Sequence, residues 1–146
     1  MLITIPGNPS GATINKARRA GVVKHGKHKG KPMTYSTPKA KTWRGVAVLC
    51  ARAAWSQRSP GTPTPFELEL TTYWPRIRRK GPAKGQPCGD VDATCKAVLD
   101  VLQAVGVVPD DAVLRRVVLV NAYDKARPRI EVRLGNATAV GVVGPA

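Results

Sequence analysis

Proline and glycine interrupt this chain so often that only six stretches are free to hold regular structure. Its 146 residues include 13 Pro and 14 Gly, concentrated in Pro6–Pro38, Ser59–Pro65 and Pro75–Pro87. Leu2–Ile5 alternates as a short strand. Thr37 or Ser36 can cap a helix with Pro38 in its first turn. Trp43, Val46, Ala47, Cys50, Ala53 and Ala54 then recur at helical spacing to about Trp55. Phe66–Trp74 alternates, with Phe66, Leu68, Leu70, Thr72 and Trp74 on one face. A second helix is predicted over about Ala93–Val105. Its apolar face carries Cys95, Val98, Leu99, Leu102 and Val105, and Gly106 stops it. Two strands follow, at about Val113–Ala122 and Arg129–Leu134. The order β-α-β-α-β-β predicts a single α+β domain, a mixed sheet with two main helices, over residues 1–135. Two long loops, about 7–36 and 75–88, belong to it, and a Gly/Ala/Val-rich tail covers 136–146.

A chain of this length can bury one real core. No apolar run approaches the roughly 20 residues of a membrane span. Met1-Leu2-Ile3-Thr4-Ile5-Pro6 has no basic residues ahead of its apolar stretch, so it reads as a strand and not as a signal peptide. The three cysteines, Cys50, Cys88 and Cys95, form no C-x-x-C, which suits a reduced intracellular setting. Cys88 and Cys95 flank an acidic segment. His25 and His28 lie far away in a basic loop, no zinc-ligand spacing results, and the thiols read as small buried or loop residues.

Charge is divided unevenly. The formal net charge is +15. Residues 1–84 hold seventeen Lys and Arg against two acids, and residues 85–146 hold seven of each. Such an excess favours a polyphosphate partner, because Lys and Arg displace condensed counterions from nucleic acid. The candidate contacts are Lys16, Arg18, Arg19, Lys24, Lys27, Lys29 and Lys31 in the first loop. Arg76, Arg78, Arg79, Lys80 and Lys84 are their counterparts in the second. A charge run alone is equally well a solvated surface.

Five of the nine acids fall between Asp90 and Asp111. Asp90 and Asp92 are two apart, so an extended segment would point both to one side. Two such carboxylates repel unless a cation sits between them, and hard cations such as Mg²⁺ take oxygen ligands. Asp111 can join them only if Gly106–Pro109 runs back along the second helix; Gly106–Asp111, six residues, covers about 20 Å when extended. That antiparallel return is the expectation. Lys96, four residues after Asp92, either overlooks the carboxylates and stabilises charge on phosphate, or pairs with Asp100 at i,i+4. Asp92 has a second reading as a helix cap. Asp110 reads as the turn residue of its pair.

Gly89-Asp90-Val91-Asp92, Lys96, the helix through Leu102, Gly106 and Asp110-Asp111-Ala112 resemble RusA-type Holliday-junction resolvases. Those show D-x-D-N-x-x-K, a helix, then G-hydrophobic-x-x-DD, at spacing this chain matches without a gap. Ile5-Pro6 with Pro9-Ser10 and Asn15 resembles the opening strand and P-x-S-x-N region of that family. Tyr35-Ser36, Lys41 and Trp43-Arg44 resemble its lead-in to the first helix. The resemblance implies a homodimeric, Mg²⁺-dependent endonuclease, with Mn²⁺ as the alternative ion, that cuts four-way DNA junctions by paired nicks in recombination and repair. It implies Asp90, Asp92 and Asp111 as metal-binding carboxylates and Lys96 as catalytic lysine. The usual Asn after the second Asp is Ala93 here. The expected partners are branched DNA and a second copy of the chain, with no membrane. The expected location is the cytoplasm of a bacterial or phage-infected cell, on the nucleoid. Two other readings stand beside this one: a non-catalytic basic nucleic-acid-binding protein, and a nuclease of the same chemistry for flaps, forks or RNA.

Overall fold

Alternation in Glu67–Trp74 sets the centre of the sheet. In this strand, β4, the residues Leu68, Leu70, Thr72 and Trp74 are buried, while Glu67, Glu69, Thr71 and Tyr73 face the other side and keep more contact with solvent. The computed structural model describes residues 1–13 and 18–136. Lys16 and Asn15, and the tail from residue 137 onward, therefore lie outside the described residues.

Four strands form the main sheet in the order β1-β6-β4-β5. β1 (Leu2–Pro6) and β6 (Arg129–Gly135) are antiparallel, as are β6 and β4. β4 and β5 (Arg116–Tyr123) are parallel, in register from Glu67↔Arg116 to Trp74↔Tyr123. A parallel pair needs a crossover, and the helix Cys95–Val105 supplies it. We call this helix α2 and the earlier one, Pro38–Ser56, α1. The cap of α1 is Thr37, whose hydroxyl accepts from the Ala40 N–H at 3.3 Å, with Pro38 just inside the helix.

One face of the sheet carries both helices. Ile3, Ile5, Leu68, Leu70, Ile130 and Val132 pack there against Trp43, Ala47 and Ala51 of α1 and Val98, Val101 and Leu102 of α2. Fully burying side chains of this kind stabilises by about 1.5–3 kcal/mol each relative to exposure. Ala53, expected on the inner face of α1, is exposed; the buried small residue is Ala51, one turn after Ala47.

The domain is α+β with a mixed sheet and two helices, but the order β-α-β-α-β-β needs correction. A separate two-stranded hairpin, β2 (Arg18–Val22) and β3 (Pro32–Ser36), stands between β1 and α1. The stretch read as a long basic loop closes because Gly26 and Gly30 take φ of +84° and +85°. These left-handed conformations suit glycine, and they let Gly30 N–H reach the Val23 carbonyl at 2.9 Å.

Candidate metal centre and nucleic-acid interface

The span from Gly89 to Thr94 is anchored to the sheet at both ends. At its start, Asn121 of β5 donates from Nδ2 to the Gly89 carbonyl at 2.6 Å. The Asn121 Oδ1 accepts from Trp74 Nε1 at 3.0 Å. A Cβ on residue 89 would stand 2.1 Å from the Trp74 ring, so only glycine fits. At its end, the buried hydroxyls of Thr94 and Thr72 share a hydrogen bond of 2.9 Å. Between the anchors the backbone turns, with Ala93 N–H bonding the Asp90 carbonyl and Cys95 N–H bonding the Asp92 carbonyl. These turns are why α2 begins at Cys95 and not at Ala93. Asp90 and Asp92 are left exposed on this span.

Their exposed carboxylates are oxygen ligands of the kind hard divalent cations take. Two observations report the negative field here. The Arg78 guanidinium approaches Asp90 Oδ1 at 3.3 Å. The Cys95 thiol is pushed above its ordinary pKa, first by burial and then by the charge of Asp92.

The expected return of Asp111 is not made within one chain. Past Gly106, which takes φ of +85°, the N–H groups of Val107 and Val108 both bond the Leu102 carbonyl, at 2.9 and 3.3 Å, and both side chains are buried. The apolar pair thus turns into the core instead of running back along α2. Asp110 then caps the short 3-10 turn Asp111–Val113, accepting from the Ala112 N–H at 2.9 Å. That bond, with a further one to Asp111, holds the Asp110 carboxyl below the usual range. The turn leads to Arg116, beside Glu67 at the start of β4, whereas Asp90 follows the end of β4. The strand between spans about 23 Å, seven steps of about 3.3 Å. Among the described residues, no three His, Cys, Asp or Glu side chains are gathered so as to hold a metal ion. Lys96 lies in the first turn of α2, its Nζ 3.0 Å from Asp100 Oδ1.

Both basic loops are braced hairpins. Lys24, Lys27, Lys29 and Lys31 are exposed in the turn of β2–β3, where Val23 N–H bonds the Lys31 carbonyl at 3.0 Å. Arg18 and Arg19 begin β2. In the second loop, Arg78 and Gln86 are joined by an N–H···O bond of 2.8 Å, and Cys88 N–H bonds the Arg76 carbonyl at 2.9 Å. Arg76, Arg79, Lys80 and Lys84 are exposed along it. Beside the second hairpin lies a cleft of about 540 Å³. Asn8, Ser10, Thr13, Lys39, Arg76 and Arg78 line it together with Asp90. The first hairpin ends at Ser36, three residues before Lys39.

Sequence reading missed Lys39, Asn121 and the Thr72–Thr94 pair. The only signals were a lysine beside the helix-starting Pro38, and a lone amide in the Val-rich run 117–122. A family model described as Endodeoxyribonuclease RusA matches residues 6–135. A comparison with curated proteins returns no match.

Proposed function

With residues 6–135 of 146 matched, the chain belongs to the RusA endodeoxyribonuclease family, and we propose that it is a Mg²⁺-dependent endonuclease that resolves Holliday junctions, in recombination and repair in the cytoplasm. The observation that carries this reading is a convergence. Asp90 lines the same cleft as Lys39, Arg76 and Arg78, and the second basic hairpin stands beside it. Carboxylates able to hold a cation and cations able to hold phosphate thus lie together at one end of the sheet.

Asp90 and Asp92 would hold the ion, Mg²⁺ or in its place Mn²⁺. Bound there, it supplies an activated water and neutralises charge on the scissile phosphate. Lys96, in the first turn of α2, would face that charge on leaving Asp100. Lys16 and the hairpin cations Arg18, Arg19, Lys24, Lys27, Lys29, Lys31, Arg79, Lys80 and Lys84 would grip the backbone and orient the junction by shape, a role for phosphate contacts more than base contacts.

The third carboxylate, Asp111, comes in this reading from a second copy. β5 is an edge strand of the sheet, and Val117, Val120 and Tyr123 on it are 43%, 38% and 48% exposed. Antiparallel pairing of two copies of β5 would set the start of one strand beside the end of the other. One copy's Asp111 would then approach the other's Asp90 and Asp92. Such a two-fold also matches the symmetry of a four-way junction, one site per cut strand.

The test is a labelled four-way junction with Mg²⁺. The wild type should make paired nicks. Asp92→Asn should make none while binding at least as tightly, since it removes negative charge near phosphate. Tight binding by the wild type without metal-dependent nicking would leave the protein a non-catalytic binder. A panel of flaps, forks and RNA identifies the preferred substrate.

A further inference from the structure

We infer that Asn121 is a positioning residue for the metal-binding span, acting through the backbone of Gly89; the inference rests on the metal-dependent reading above. Asn121 sits on β5, opposite Thr72 of β4, and touches neither carboxylate. Its effect passes through two hydrogen bonds of opposite sense. Trp74 Nε1, on a residue only 4% exposed, donates to Oδ1 at 3.0 Å, and this fixes which way the amide faces. The amide is then committed to donating from Nδ2 to the Gly89 carbonyl, at 2.6 Å. An amide suits this place because it accepts and donates through two separate atoms. The Trp74 ring lies where a Cβ of residue 89 would be, so the peptide rests on the indole while the amide holds its oxygen.

One residue further on is Asp90. Its carboxylate and that of Asp92 repel, and a slack span would let them separate. Coordination of one ion needs both within a narrow range of positions, which a site achieves when residues behind the ligands hold them. The Thr72–Thr94 bond anchors the far end of the span; Asn121 anchors the end nearer Asp90. Ala93, whose methyl group can make no hydrogen bond, contributes only its backbone N–H to the turn.

Asn121→Asp separates positioning from folding. It keeps an acceptor for Trp74 and removes the donor to Gly89. In the full chain, Mn²⁺ affinity by calorimetry should fall tenfold or more. The Mg²⁺ concentration for half-maximal junction nicking should rise by a similar factor. Junction binding without metal should weaken only modestly, from the added negative charge. Trp74→Phe keeps the ring under Gly89 but frees the amide to rotate, and should weaken Mn²⁺ binding at least threefold; it carries the test alone if Asn121→Asp does not fold. Wild-type metal dependence in either folded variant, or a loss confined to thermal stability and junction binding, overturns the inference while leaving the nuclease reading intact. A wild type that neither binds Mn²⁺ nor nicks junctions overturns both.

Discussion

At Gly89 a missing side chain matters more than any present one. The residue lacks a positive φ; it is glycine because the Trp74 ring fills the Cβ position. Gly89→Ala should therefore cost about 1–3 kcal/mol, the usual range for forcing an extra carbon into a packed site, read as a lowered Tm. A second residue reports charge. Asp92 helps to hold the Cys95 thiol above its ordinary value of 9.0, second to burial. A raised thiol pKa keeps the thiolate scarce at neutral pH. Asp92→Asn removes the repelling charge and should move the alkylation profile of Cys95, followed by mass spectrometry, to lower pH, though burial keeps it above the ordinary value. A profile unmoved by the substitution would place Asp92 too far from Cys95 to act on it. The acid pattern at this site was legible because it is one-dimensional: D-x-D, a lysine four residues on, a helix, then a pair of Asp. Asn121 was not, because its partners lie 32 and 47 residues away in the chain, a closeness that only the strand register creates.

Among the elements, the regular ones were readable to within a few residues, since burial periodicity fixes them. The ends moved where local hydrogen bonds overrode the pattern. The strand expected from Val113 starts at Arg116 because Asp110 winds the intervening residues into a 3-10 turn. The β2–β3 hairpin escaped notice for a different reason. Arg18–Val22 has no alternation of apolar and polar residues, so nothing marked it as a strand. Its structure is stabilised by backbone bonds around two glycines, and its exposed side chains are left for other contacts. Replacing Lys24, Lys27, Lys29 and Lys31 together by Ala should weaken junction binding. It should also flatten the dependence of log K on log salt by about 0.9 for each lysine that meets a phosphate. An unchanged slope would make the hairpin a bystander. The fold should survive, because these lysines are exposed and lie in the turn of a hairpin outside the main sheet.

For the molecule as a whole, the parallel pairing of β4 with β5 governs everything else. It sends α2 from one end of the sheet to the other and so parts Asp90 and Asp92 from Asp111. Mixing two inactive variants tests the proposal that a second copy repairs the separation. Asp90→Asn and Asp111→Asn should each be inactive. After exchange of subunits, the mixed dimer regains one complete site, made from the unaltered carboxylates of each copy, and should nick one strand of a junction. A mixture with no activity would mean that each chain builds its site alone. The crossover also has a consequence in time and dose. A chain that carries both halves of its site, but at opposite ends, would be inert when newly made and scarce. Assembled sites would then grow as the square of its concentration, so below the dimer dissociation constant a halved supply leaves a quarter of the cutting. A topology adopted to join two strands would in this way keep a DNA-cutting activity silent until enough of it has accumulated.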